Sequence, residues 1–172
     1  AEYEKLLGYQ PVIEDCGDYF VMHGSKKVII YNLPSEDMDW SQYENTFDFY
    51  FTSPPYFETE RYAADYPYNQ SWNRYPTFTS WKNDFFFPVN EKVFSALNDQ
   101  AYMMINIIEP RIAKGTRLNL CDDMVDHLTN LGANYIGKIG MRMQARPHAI
   151  VNTDKNSVFV EPIWVFRKNT HE

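Results

Sequence analysis

An α/β fold, with a mostly parallel sheet ending in an antiparallel hairpin, is what this sequence predicts. Three observations carry that expectation. Apolar, aromatic-rich or β-branched runs recur at 47–51, 101–108, 134–143 and 158–167, each bounded by turn residues and reading as a strand. Helical spacing fills the intervals after the first two, within 79–98 and 121–131. Between the last two runs there is no helix, so they are expected to pair as antiparallel neighbours. Alternating strands and helices imply a parallel sheet covered on its faces.

In chain order, residues 2–9 read as a short helical turn through Leu6 and Leu7, ended by Gly8. Val12-Ile13 is a strand candidate, Asp15-Cys16-Gly17-Asp18 a turn, and Tyr19–Met22 a short apolar stretch. Lys27–Tyr31 reads as a strand closed by Asn32-Leu33-Pro34, and an acidic loop from Ser35 to Asp39 leads on through Trp40 and Tyr43. Phe47–Phe51 is the central buried strand.

Glu58 to Pro76 is a long irregular stretch with Tyr62, Tyr66, Tyr68, Trp72 and Tyr75. So many large rings argue against disorder, and the stretch, about 58–76, reads as a flap. Pro76-Thr77 opens a helix over Thr79–Phe87, which Pro88 is expected to break. A second helix over 90–98 follows, with Val93, Phe94 and Leu97 on one face. The run 101–108 is apolar nearly throughout, as a fully buried strand would be. Cys121–Leu131 has Met124, Val125, Leu128 and Leu131 at helical spacing and stops at Gly132; Asp122 and Asp123 complement the dipole of its first turn. Gly137 and Gly140 weaken the middle of the strand at 134–143, a polar loop covers 144–156, and Pro162 interrupts the last strand.

The central strand runs into Thr52-Ser53-Pro54-Pro55-Tyr56-Phe57. Neither proline has an N–H to donate and both hold φ near −65°, so the strand stops in a stiff, extended loop with a ring just beyond. In open α/β sheets the carboxyl end of a strand is where ligands bind. Ser53-Pro54-Pro55-Tyr56 after an aromatic strand resembles the catalytic motif of DNA methyltransferases that modify exocyclic amines. The family pattern is Asp/Asn/Ser-Pro-Pro-Tyr/Phe/Trp, and its serine form is most often seen in cytosine-N4 enzymes. The element order from residue 47 onward also resembles the second half of a Rossmann-like methyltransferase, whose sheet ends in a reversed hairpin.

That resemblance implies methyl transfer from S-adenosylmethionine to cytosine N4 or adenine N6 of DNA. Ser53 and the Pro54 carbonyl would accept hydrogen bonds from the amine, with Pro55 stiffening the tip and Tyr56 stacking on the base. Thr52, Phe57, Arg61 and Tyr62 are expected to line the substrate pocket, and Arg74, Arg142 and Arg146 to touch phosphate. The family's glycine-rich cofactor loop has no counterpart among the seven glycines, because Gly137-Lys138-Ile139-Gly140 lies inside a strand candidate. Three explanations stay open: the chain is the C-terminal part of a longer enzyme, a second chain supplies the cofactor half, or this is an inactive methyltransferase-like binding subunit.

Composition fits one domain over 1–172, with 44% hydrophobic and 23% charged residues. The net charge of −7 argues against a dedicated nucleic-acid coat, yet residues 111–148 hold six basic side chains against three aspartates. Cys16 and Cys121 lack metal-ligand spacing and make no disulfide framework, and the four histidines are scattered, so no metal is expected. With neither a membrane span nor a signal peptide in view, the expected location is cytoplasmic.

Overall fold

In the computed structural model the described residues are 12–24, 26–57, 70–110, 118–143 and 159–170. The expected helical turn at 2–9, most of the flap and the loop at 144–156 lie outside them. The chain divides into two compact units, residues 1–38 and 39–172.

The first unit is an antiparallel meander. β1 (Val12–Asp15) pairs with β2 (Tyr19–His23), which pairs with β3 (Lys27–Tyr31). Gly17 adopts φ +86° in the first turn, where its N–H donates to the Asp15 carboxylate at 2.9 Å. Three short strands have little interior, and Val21 is the unit's one buried residue among those described.

The second unit is a four-stranded sheet with helices packed on one face. Its strands are β4 (Phe47–Thr52), β5 (Leu97–Asn106), β6 (Ala133–Met143) and β7 (Phe159–Lys168), in spatial order β4-β5-β7-β6. β4 and β5 are parallel, whereas β7 is antiparallel to both β5 and β6. The expected terminal hairpin is therefore present. The expected mostly parallel pairing is not, because β7 returns between β5 and β6 and leaves one parallel pair among the described strands. Two antiparallel steps bring β6 back to the direction of β4 and β5.

Pro88 does not break its helix. A short turn Phe78–Ser80 runs into a π-helical segment Trp81–Phe86 and on into α1 (Phe87–Ala96). The wider π turn accommodates a residue that has no N–H to give, with the Phe87 N–H reaching five residues back to the Lys82 carbonyl. Thr77 and Ser80 form a reciprocal capping box at the start. α1 ends before Leu97, which instead opens β5.

α2 (Cys121–Asn130) ends at Gly132, φ +98°, as expected. Its first turn is capped from a distance: the Glu109 carboxylate accepts from the N–H groups of Leu120 at 2.7 Å and Cys121 at 3.0 Å. Asp123 pairs with Lys82 of the π turn. Gly137, φ +144°, sits where the β6–β7 register slips, so the weak middle of that strand is a bulge. Pro162 does not interrupt β7, since the β5 pairings end one residue later at Ile163 and leave β6 as its one pairing neighbour.

Trp81, Phe86, Phe94, Met103, Ile105, Met124, Leu128, Trp164 and Phe166 form the core between the helices and one sheet face. No described helix is long and apolar enough to cross a membrane.

Candidate functional site

β4 delivers Ser53 at the carboxyl end of the parallel pair. Thr52, half-buried, is the last strand residue and pairs with Ile105. Alternation along the pleat turns Thr52 toward the helices and Ser53 toward the side of Asn106. Pro54 and Pro55 are half-buried, and Ser53 is exposed.

The chain then folds back sharply. The Phe57 N–H donates to the Pro55 carbonyl at 2.9 Å, a three-residue turn centred on Tyr56. Phe57 itself stands at φ +50°, which a bulky residue adopts only when its surroundings hold it. Those surroundings are aromatic: its ring lies 5.9 Å from Phe78, edge-on, and 6.0 Å from Trp81. Phe57 is thus a core anchor for the tip rather than a pocket wall.

Tyr56 is buried too, with 5% of its surface accessible. Its hydroxyl lies 3.1 Å from Asn106 Oδ1, 3.2 Å from the Asn106 carbonyl and 3.3 Å from Glu161 Oε2. One phenolic proton thus faces three acceptors. In this conformation the ring face is packed away, so Tyr56 presents no stacking surface for a base. Burial at the end of a proline-stiffened loop has turned the ring inward.

Asn106 is the hub. It is 1% exposed, ends β5, and its Nδ2 donates to the Pro162 carbonyl at 3.0 Å. That orients Oδ1 toward both Tyr56 and the Ser53 hydroxyl, which donates at 3.4 Å. The Ser53 bond is long and weak, so its oxygen keeps free lone pairs toward solvent. Glu161, 7% exposed on β7, completes the cluster.

Sequence reasoning missed Asn106 and Glu161. The available signal was a lone amide in the apolar run 101–108 and a lone carboxylate in an otherwise apolar last strand. Of the other expected residues, Arg61, Tyr62 and Arg146 lie outside the described residues. Arg74 ends a single helical turn, Ser71–Arg74, with its guanidinium 5.8 Å from the Tyr75 ring centre, and Arg142 is exposed on β6 opposite Val160.

The described residues hold no group of three or more potential metal ligands. The cofactor fares similarly. Among the described glycines with positive φ, Gly17 lies in a meander turn, Gly132 caps α2 and Gly137 forms the β6 bulge. None sits in a strand–turn–helix loop, so the described residues alone do not cradle S-adenosylmethionine.

Solved structures nevertheless share this architecture. A candidate DNA modification methylase from Thermus thermophilus superposes with a TM-score of 0.54 at 18% identity, covering 81% of this chain and 53% of that one. The same protein complexed with S-adenosyl-L-methionine gives 0.53 at 17% identity, covering 81% and 55%. The fold is methyltransferase-like. This chain spans about half the length of that methylase. No family model and no curated protein matches the sequence.

Proposed function

We propose that this chain is the amine-gripping part of an S-adenosylmethionine-dependent DNA methyltransferase, acting on cytosine N4 or adenine N6. The observation that carries the reading is the Ser53 hydroxyl, exposed at the carboxyl end of β4 and tethered from behind by buried Asn106. The fold shared with a methylase solved with that cofactor supports it.

An exocyclic amine is a poor nucleophile because its lone pair is conjugated with the ring. Acceptors placed at its N–H groups raise electron density on nitrogen as it rehybridises. Ser53 Oγ and the Pro54 carbonyl are the two acceptors here, and two prolines hold them without a reorganisation cost. Tyr56 acts through its hydroxyl as a latch for the tip. The base must leave its stack to reach them. Arg142 supplies a phosphate contact, with Arg61, Arg74 and Arg146 further candidates, which confines the DNA footprint to part of an acidic protein.

Amine recognition can be measured without any methyl donor. Fluorescence anisotropy should show the 172-residue chain binding oligonucleotides that contain cytosine or adenine more tightly than the same strands with uracil or hypoxanthine. We expect a preference of roughly threefold or more, the scale of one hydrogen bond, erased by Ser53→Ala. Equal binding of amine-bearing and amine-lacking strands would remove the proposed site.

A further inference from the structure

Glu161 is a buried carboxylate that the proposed function leaves unused. Alternation along β7 sets it on the sheet face of Ile163, the residue paired with Asn106. It is 7% exposed, and among the described residues its one hydrogen-bond partner is the Tyr56 hydroxyl at 3.3 Å. A carboxylate removed from water is costly unless donors face it, so this one has the strongest claim on the phenolic proton.

That claim matters because the proton has two other takers. The Asn106 carbonyl and Oδ1 lie 3.2 and 3.1 Å from the same hydroxyl, and Oδ1 also accepts from Ser53 at 3.4 Å. The Ser53 bond is the longest of those that reach Asn106. A phenolic proton turned onto Oδ1 would therefore be held in preference to the serine proton.

We infer that ionised Glu161 sets the polarity of the amine grip: by holding the Tyr56 proton it reserves Asn106 Oδ1 for the Ser53 proton. Ser53 Oγ then faces the substrate as an acceptor, which selects bases that carry an exocyclic amine. Released from Oδ1, the same hydroxyl turns outward and donates, which suits the carbonyl of uracil or hypoxanthine. Glu161 is thus a positioning residue that determines specificity through Tyr56 and Asn106 without touching the base. This role rests on the amine reading above.

Glu161→Gln keeps the shape of the side chain and removes its charge. Loss of a negative charge strengthens binding of every strand alike, so the quantity to read is a ratio of affinities. For the 172-residue chain the preference for cytosine over uracil, roughly threefold in wild type, should fall to about one or below in Glu161→Gln. Adenine over hypoxanthine should follow. In Tyr56→Phe no phenolic proton competes for Oδ1, so adding Glu161→Gln should change the ratio no further. A side chain that merely packs would lower the ratio by the same factor in both backgrounds. If Glu161→Gln does not fold, Glu161→Met, which fills the site without an acceptor, is read in the same way. A ratio that Glu161→Gln leaves unchanged, or lowers equally with and without the Tyr56 hydroxyl, overturns the role of Glu161. The function then still stands on the wild-type preference and its loss in Ser53→Ala. A wild type that shows no preference removes the function itself, and the role with it.

Discussion

The two ends of the four-stranded sheet each bury a polar side chain, and they use it in opposite ways. At the amino end of β4, Lys168 is 4% exposed and its ammonium donates to the Leu97 carbonyl at 2.6 Å, Asn45 Oδ1 at 3.1 Å and the Ser95 carbonyl at 3.4 Å. Its three protons meet three acceptors, two of them carbonyls around the end of α1. The adjoining cavity of about 430 Å³, lined also by Glu44, Glu91, Phe94 and Leu131, is offered no donor by this lysine. At the carboxyl end, buried Asn106 leaves an exposed serine hydroxyl in its charge. The partners of Lys168 are all internal, whereas Asn106 holds an exposed hydroxyl, the arrangement on which the proposed function rests.

The largest effect should come from removing the saturated group. Lys168→Met strands three acceptors, and with the relief of desolvating a charge set against that, we expect a loss of about 2–3 kcal/mol in urea unfolding. Burial holds the Lys168 pKa below its ordinary 10.5. In the alkaline window beneath 10.5 the unfolded chain therefore binds more protons than the folded one, and stability from this group rises with pH. The gap between wild type and Lys168→Met should widen across that window; a gap constant with pH would refute the assignment.

Asn106→Leu comes next, at about 2 kcal/mol, because it takes the side-chain donor from the Pro162 carbonyl and the Oδ1 acceptor from the Ser53 and Tyr56 hydroxyls in a buried site. Tyr56→Phe should cost about 1 kcal/mol, since only a hydroxyl is lost and the ring keeps its packing. It should also weaken discrimination of cytosine from uracil by loosening the tip. A Tyr56→Phe protein with full discrimination would show that the latch does not position Ser53. Ser53→Ala should change stability by less than about 0.5 kcal/mol, as an exposed position does, while abolishing that discrimination.

The smallest effect sharpens the contrast between exposed and buried groups. Cys16 is exposed, whereas Cys121 is buried and its thiol pKa is raised, chiefly by that burial and then by Glu109. Native protein should release one equivalent of thiol to Ellman's reagent and denatured protein two. Two in the native state would show that α2 opens.

Much of the second unit was legible because its signals are local. The aromatic run before two prolines placed β4 and its tip, helical spacing and Gly132 placed α2, and the absence of a helix before the last strand announced the hairpin. Pro88 misled because a π turn can absorb a missing N–H, and the capping of α2 by Glu109 reaches across a connecting loop. The inward turn of Tyr56 was hidden for the same reason: its partners Asn106 and Glu161 lie 50 and 105 residues away.

The sequence by itself determined where β4, α2 and the terminal hairpin form and where the chain must stop in a rigid tip, because proline geometry and apolar periodicity act over a few residues. Tertiary structure alone decided that β7 slots between β5 and β6, that Asn106 holds the tip, and that Phe49, Phe51, Tyr102 and Ile139 stay exposed. Those outcomes depend on which distant side chains share a face, and neither local propensity nor spacing encodes that.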